Sequence, residues 1–511
     1  MRDFEPRPHQ WIMIRFMLHV ARCAVWCFMG GGKTSAVLFI FDAFLLAGLM
    51  KKALVLAPLR VARDTWPNEA KKWRQFAGMR IAFLEWTPAE REFLRARGNY
   101  LKLLKRDEKC KEDATKAAKA LALTLRPAAV AARLKVLETV DIQCVNYDLV
   151  QQLTAIFSDE WPWDMVVADE STRLKGLRIK QGAKRANKLS KIAFSHVGRW
   201  INLTGTPSPN GLVDLWGQTW FLDAGHRLGK SFDAFQNRWF GYKRVKDAVS
   251  PGKVYVERIV FPHSQTEIEG LLKDVCLSLN PKDWFDLKEP IVRTIEVELP
   301  EKARKHYREM EKKMYTEIQN LGVEAFGAAA KTMKCLQLAN GFIYTNNEET
   351  KWVEVHDEKL DALESIVEEA SGMPVLVAYQ FKPDLVRLKK RFPDGLDLST
   401  KEGMRRAMAG EGRLWFGHAA SMGHGVDGLQ YHSNIMVYFA HWWDFEQRLQ
   451  IVERIGPMRQ LQAGFDRPFF VYNIVARRTV DETVLKRIDT KRSVQDLLLE
   501  AMKGTEHADL V

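Results

Sequence analysis

Two separate series of short apolar runs constrain what this chain folds into more than any other feature. The first is AVWCFM (24–29), ALVLAP (53–58), IQCVNY (142–147), DMVVAD (164–169) and WINLTG (200–205); the second is PVLVAY (374–379), RLWFGH (413–418), NIMVYF (434–439) and FFVYNIV (469–475). In the first series each run ends at a polar, glycine- or proline-containing segment, and longer helical patterns separate the runs. Strands buried on both faces read as unbroken apolar runs, and strands that alternate with helices build parallel βαβ units. Ligand-binding loops of such sheets follow the strand ends. Two series imply two sheets rather than one large one, and 511 residues suffice for a core under each. The expected fold class is α/β with two parallel-sheet lobes, the first over 1–225 and the second over 356–511.

Between them, 226–355 shows few strand signals and carries charged helical patterns such as PEKARKHYREMEKKMYTEIQ. A helical insertion or inter-lobe link is expected there. A second helical stretch, about 89–138, interrupts the first lobe; it is rich in Ala, Leu, Lys and Arg, with Pro127 as its main breaker. It reads either as a solvated helix pair or as a basic arm against a polyanion. A composition with 46% hydrophobic and 28% charged residues, free of low-complexity tracts, excludes a disordered or fibrous chain. The net charge of +13 favours a polyanionic partner. The six cysteines form no CxxC pair, and Cys23 and Cys27 have no second pair to complete a zinc site, so they read as small buried apolar residues in a reducing compartment. Acids and prolines occupy the N-terminus where a signal peptide needs an apolar core, and the most apolar run, Ala36 to Met50, is short for a bilayer and carries Asp42. A soluble cytoplasmic protein without a membrane partner is expected.

The chemistry starts at MGGGKTS, Met29 to Ser35, which follows a strand-like run and opens an apolar helical pattern. That context is what a phosphate loop requires: Gly30, Gly31 and Gly32 let the backbone curl, its N–H groups point at phosphate oxygens, and the helix N-terminus adds its dipole. Lys33 would reach the β- and γ-phosphates of ATP, and the Thr34 hydroxyl would hold Mg²⁺. Cys27 stands where the general pattern GxxxxGK[ST] has its first glycine. A carboxylate is needed at the end of another strand, and DMVVADES supplies two. Asp169 would ligate the Mg²⁺ and Glu170 would orient and deprotonate the attacking water. Sixteen tryptophans invite a base-stacking reading, but most sit in apolar periodic positions where core packing is the better account.

Several ordered blocks resemble the motifs of superfamily 2 helicases of the Snf-type branch. WINLTGTPSPNGLVDLW (Trp200–Trp216) resembles motif III, LVLAPLRVARDTWPNEAKKW (Leu54–Trp73) motif Ia, and WDMVVADESTRLKG motif II, with DES in place of the commoner DEAH or DEAQ. PRPHQ (Pro6–Gln10) matches the position of RPYQ, which gives Gln10 the adenine-contacting role. ASMGHGVDGLQ (Ala420–Gln430) resembles motif V with one apparent extra residue near Asp427 and Gly428, and WWDFEQRLQIVERIGPMRQ resembles motif VI. The resemblance implies nucleotide contacts from Gly425 and Gln450, and an arginine finger at Arg454 or, in another register, Arg459, with Arg454 preferred. Thr204, Gly205 and Thr206 would couple the nucleotide state to the nucleic-acid side. MKCLQLANGFIY and HDEKLDAL sit where the branch has its inter-lobe link, so the likeness spans about 5–490, and it is greatest to the compact Snf-like helicases of bacteriophages and prophages.

What the resemblance implies is a pair of RecA-like lobes of the P-loop NTPase class. ATP and Mg²⁺ would sit between them, with Lys33, Thr34, Asp169 and Glu170 on one wall and Arg454 or Arg459 completing the other. The implied function is an ATP-dependent DNA helicase or double-stranded DNA translocase, binding without sequence preference in phage-type replication, recombination or repair. Phage or host replication and recombination proteins are candidate partners, in the cytoplasm of a bacterial host. The basic segments Arg173 to Lys191 and Gly241 to Lys246 are candidate DNA contacts, with an ordinary solvated face as the alternative. An RNA-dependent ATPase, or a DNA-binding scaffold whose ATPase has weakened, stays open. A nucleotide kinase or transporter-type ATPase leaves LTGTP and the second lobe unexplained. No nuclease constellation is visible, and HDEKLD (His356–Asp361) reads as a surface cluster.

Overall fold

A computed structural model describes the backbone of all residues except 105–111, 158–159, 179–183, 247–253, 311–325, 346–350, 419–421, 423–426 and 502–511. The chain divides into two compact units, one of Met1–Tyr242, Arg258–Asn280 and Leu497–Val511, the other of Lys243–Glu257 and Pro281–Asp496.

The first unit is built on seven strands: β1 (Arg22–Cys27), β2 (Ala53–Ala57), β3 (Ile81–Phe83), β4 (Ile142–Asn146), β5 (Met165–Asp169), β6 (Arg199–Thr204) and, beyond β7 (Phe240–Lys246) and β8 (Val254–Val260), which form a separate two-stranded sheet, β9 (Cys276–Leu279). Their order is β3-β4-β2-β5-β6-β1-β9, and every neighbour pair is parallel. All five expected runs form strands, and β2 and β5 are buried along their whole length, as helices on both faces demand. The register sets Trp26 beside Thr204 and Asp169 beside Leu203. The C-terminal ends of β5, β6 and β1 are thereby level, at one edge of the sheet.

Two helices complete that edge. α1 (Pro8–His19) begins with proline at its first turn, where a missing N–H costs nothing. α2 (Lys33–Leu46) is a 14-residue, almost wholly apolar helix that starts at the end of the glycine run. α3 (Trp66–Lys72) follows a π-helical turn at Val61–Thr65. The stretch expected to be helical near 89–138 forms α4 (Pro88–Leu104) and α5 (Glu112–Glu138). They are joined by a fully buried bidentate pair, Arg133 Nε to Glu90 Oε1 at 2.8 Å and Arg133 Nη2 to Glu90 Oε2 at 2.6 Å. Pro127 does not break α5, contrary to expectation. A proline inside a helix removes one hydrogen bond, and the alanines and leucines around it sustain the remaining ladder.

The second unit carries β10 (Ile291–Val297), the antiparallel pair β11 (Phe342–Tyr344) and β12 (Trp352–Glu354), β13 (Val375–Tyr379), β14 (Leu396–Asp397), β15 (Leu414–His418), β16 (Ile435–Tyr438) and β17 (Phe470–Ala476). Its main sheet runs β10-β17-β16-β13-β15-β14, again all parallel. Two parallel sheets clothed in helices are the α/β class that the apolar runs predict. The middle of the chain differs from its helical expectation. Within 226–355 lie β7 to β12, and β9 and β10 are edge strands of the first and second main sheets. β9 has only four residues, and most residues of β10 are exposed, so neither shows the unbroken apolar run of a central strand.

Lys359 and Asp481, both fully buried, pair at 2.7 Å in this unit. The ammonium also donates to Asn340 Oδ1 at 2.8 Å and to the Phe439 carbonyl at 3.3 Å, while Asp481 accepts the Ala476 N–H at 3.1 Å. The pair thus ties the helix Glu358–Glu369 to the ends of β16 and β17. Removing one member leaves an uncompensated buried charge, a loss of about 3–5 kcal/mol. Lys359→Met should therefore speed amide exchange in β13 and β17 by about 10²- to 10⁴-fold; exchange at the wild-type rate would show that the pair does not hold the sheet.

Candidate functional site

The loop after β1 has the backbone its glycines permit. Gly30 and Gly32 have φ of 77° and 74°, left-handed values open to glycine at little cost. A Cβ on Gly31 would lie 2.4 Å from Cys27 Sγ, and one on Gly32 2.3 Å from Gln10 Nε2. Cys27, at the first-glycine position of the general pattern, packs beneath this turn; burial pushes its thiol up to about 11 against the opposing charge of Lys33, so it is an apolar filler. The Lys33 ammonium curls back onto the carbonyls of Cys27 at 2.7 Å and Phe28 at 3.1 Å. Ser35 Oγ donates to the Gly32 carbonyl at 3.0 Å, and Thr34 is the second residue of α2. Met29 and Thr34 are part-exposed.

α1 is latched onto this loop. Gln10 Nε2 donates to the Gly32 carbonyl at 3.2 Å and to Ser35 Oγ at 3.0 Å, while its Oε1 accepts the Arg7 N–H at 3.0 Å. His9, buried, has Nε2 3.1 Å from the Gly31 carbonyl and its ring tilted against Phe28; burial, the largest cause, holds its pKa down.

Asp169 closes β5 only 7% exposed. Its Oδ2 accepts the indole N–H of Trp66 at 3.0 Å, and its backbone carbonyl accepts the Tyr147 hydroxyl at 2.9 Å. Burial raises the Asp169 carboxyl above its usual range, opposed first by the Lys33 charge and then by the Trp66 bond. Glu170 follows at φ 55°, a left-handed conformation uncommon outside glycine. Thr204 Oγ1 accepts the Thr206 N–H at 3.0 Å, and a Cβ on Gly205 would lie 3.3 Å from the Cys27 carbonyl. The structure therefore brings the glycine loop, Lys33, Asp169 and the Thr204–Thr206 turn together. The motif pattern assigns no role to Trp66 or Tyr147. The signal was available for Trp66, since a buried indole N–H needs an acceptor and this one lies in the block resembling motif Ia.

In the second unit, Gln450 lies on the helix Phe445–Val452 and Arg454 just beyond it, both buried; Arg454 Nε donates to the Gln450 carbonyl at 3.1 Å. Arg459, on the helix Pro457–Gln462, pairs with Asp427 at 3.4 Å. Gly425 lies outside the described residues. Much of the basic run Arg173–Lys191 is occupied within the protein: Lys175 pairs with Asp214, Arg185 with Asp148, and the Arg178 guanidinium lies 3.2 Å from the Phe232 ring centre. Arg173, Lys188 and Lys191 are exposed, while 179–183 lie outside the described residues. HDEKLD is only in part the expected surface cluster: Asp357 and Asp361 are exposed. His356 and Lys359 are buried, and burial, the largest cause, takes the His356 ring down to about 4; both are drawn in by the polar network under the second sheet.

A glycine turn opening a helix, a lysine beneath it and a buried carboxylate two strands away define a phosphate-loop nucleotide lobe. The SNF2-related domain model matches residues 27–341, and the chain belongs to the SNF2-related family, whose common core is an ATPase. Protein p41 of Acyrthosiphon pisum secondary endosymbiont phage 1 is 45% identical over 510 residues, 98% of this chain and 100% of that protein. The CHD3-type chromatin-remodeling factor PICKLE of Arabidopsis thaliana is 26% identical over 298 residues, 58% of this chain and 18% of that protein. Among solved structures, the Sulfolobus solfataricus SWI2/SNF2 ATPase core in complex with dsDNA gives a TM-score of 0.40 at 18% identity, over 98% of this chain and 94% of that one. Among the described residues no helix is long and apolar enough to cross a membrane.

The raised Asp169 carboxyl has a consequence for stability. A carboxyl that ionises less readily folded than unfolded destabilises the fold at high pH, and the penalty disappears as pH falls through the folded value and then the unfolded one, ~3.9. Asp169→Asn keeps an acceptor for Trp66 and should raise the thermal midpoint of the nucleotide-free protein at neutral pH. The difference from wild type should close on acidification. A lower midpoint at neutral pH would show that the ionised carboxylate stabilises the fold.

Proposed function

We propose that this chain is a DNA-stimulated ATPase that couples hydrolysis to movement along double-stranded DNA. The observation that carries this reading is the level register of β5, β6 and β1, which sets Asp169 within the field of Lys33. Backbone N–H groups of the loop and of the first turn of α2 bind the phosphates, and Lys33 swings from the Cys27 and Phe28 carbonyls to the β- and γ-oxygens. The donor set suits a hard divalent cation, and the carboxylate of Asp169 and the hydroxyl of Thr34 would hold it. Mg²⁺ bound there would neutralise charge developing on the phosphates. Glu170 aligns the attacking water and takes its proton. Gln10 reads the nucleotide from the α1 side, and Thr204, Gly205 and Thr206 pass the state of the site to the DNA-facing loops. Gln450 and Gly425 contribute from the second unit, and Arg454, or Arg459 in the other register, stabilises the transferring phosphoryl group.

The partner is assigned by charge and kinship. A net charge of +13 suits a phosphate backbone, and a similar protein is described as a chromatin-remodeling factor. Similarity to a phage protein supports a role in phage DNA metabolism inside a bacterial host.

Steady-state hydrolysis with duplex DNA, single-stranded DNA and RNA side by side tests the polymer, and strand displacement with the best activator separates unwinding from translocation. Duplex DNA should stimulate most; stimulation by RNA alone would overturn the assignment. Lys33→Ala should abolish hydrolysis with the fold intact, and near-normal turnover would remove the assigned loop. Glu170→Gln should bind ATP but not turn it over. Arg454→Ala should lower kcat by about 10³- to 10⁵-fold, and an unchanged rate would transfer the role to Arg459.

A further inference from the structure

Glu170 is held in a conformation that its own residue type disfavours, at φ 55° and ψ 57°. Such a conformation is strained and persists only where the surroundings over-determine it. Those surroundings lie on the helix Leu215–Asp223, at the two residues that directly follow the quoted block Trp200–Trp216. Gly217 is pressed against the turn that follows Glu170: a Cβ there would come within 2.7 Å of the carbonyl oxygens of both Leu174 and Lys175. The next residue, Gln218, is buried and accepts the Ser171 hydroxyl at 2.8 Å on Oε1. Its Nε2 donates to the carbonyls of Pro207 at 2.7 Å and Asp214 at 3.0 Å, and its own carbonyl accepts from Asn202 Nδ2 at 3.0 Å. One amide thus binds the residue after Glu170 and the loop after Thr206 at the same time. Lys175 reinforces the clamp through its 3.4 Å pair with Asp214.

We infer that Gly217 and Gln218 are positioning residues for the hydrolysis step. Gly217 permits the close approach, and Gln218, through Ser171, fixes the backbone that aims the Glu170 carboxylate. The inference rests on the reading of Glu170 as the base. It also accounts for serine as the third residue of DES, because a hydroxyl is what reaches the Gln218 oxygen.

The test is a double-mutant cycle in the full chain with Ser171→Ala, Gln218→Leu and the double variant, alongside wild type and Glu170→Gln. Binding of a fluorescent ATP analogue with Mg²⁺ and single-turnover hydrolysis of ATP are measured separately. Each single variant should bind within about 2-fold of wild type and hydrolyse about 10-fold more slowly, the rate equivalent of one hydrogen bond. The double variant should be no slower than the slower single one. Additive losses in the double variant, or wild-type rates in Ser171→Ala, would overturn the inference. So would affinity and rate falling together with the melting temperature, the pattern of a merely structural contact. If Gln218→Leu fails to fold, Ser171→Ala, which removes a single hydroxyl, still decides by its split of rate from affinity. Wild-type turnover in Glu170→Gln would instead overturn the base assignment, so the two failures are distinguishable.

Discussion

The parallel register of three strands, β5, β6 and β1, is the constraint from which the candidate site follows. In a parallel sheet every strand points the same way, so the residues that leave the C-terminal ends emerge at one edge. Because Thr204 is level with Trp26 and Leu203 with Asp169, segments separated by more than a hundred residues in sequence converge without any special loop length. A slip of one residue in β5 would turn Asp169 to the other face of the sheet. The wholly buried apolar sequence of that strand, covered on both sides, is what forbids the slip. Core packing and site geometry are here the same fact.

The central strands and the glycine loop were legible in the sequence because their physics is local. An unbroken apolar run marks a doubly covered strand, and a glycine run before an apolar helix marks a turn that other residues cannot make. What escaped was set by tertiary context. β9 and β10 are edge strands, short or mostly exposed, whose pairing depends on a neighbour already in place. Pro127 looks like a helix end but lies within a 27-residue helix. His356 and Lys359 look like surface residues and are buried, because Asp481, more than a hundred residues away, and the Leu338 carbonyl receive them. The candidate site shows the same division. Lys33, Asp169 and Glu170 announce themselves by motif, whereas Trp66 and Tyr147 act on Asp169 through contacts that no spacing rule contains.

Burial of polar groups at this edge carries a cost that the rest of the unit offsets. Asp169 is desolvated, Glu170 is strained, and the Lys33 ammonium is satisfied by backbone carbonyls rather than by a carboxylate. Each departs from the arrangement that would be most stable in isolation. A charge kept out of water interacts strongly with whatever charged ligand arrives, since the low local dielectric that penalises it also magnifies its fields. The lysine gives up only neutral carbonyls when it moves, so its transfer to a phosphate does not require breaking an ion pair.

The clamp around Glu170 extends this logic beyond the ligand contacts. A strained backbone is a liability unless the contacts that enforce it also respond to something, and Gln218 touches both Ser171 and the carbonyl of Pro207, which directly follows Thr206. Any shift in the Thr204–Thr206 turn must therefore be accommodated by the same amide that fixes the residue after Glu170. Gly217 leaves no slack between the helix Leu215–Asp223 and the Ser171–Lys175 turn to absorb such a shift, and close-packed contacts of this kind transmit displacement rather than damp it. The Gln218 side chain, directly after the block Trp200–Trp216, thus stands mechanically in series between Glu170 and the Thr204–Thr206 turn.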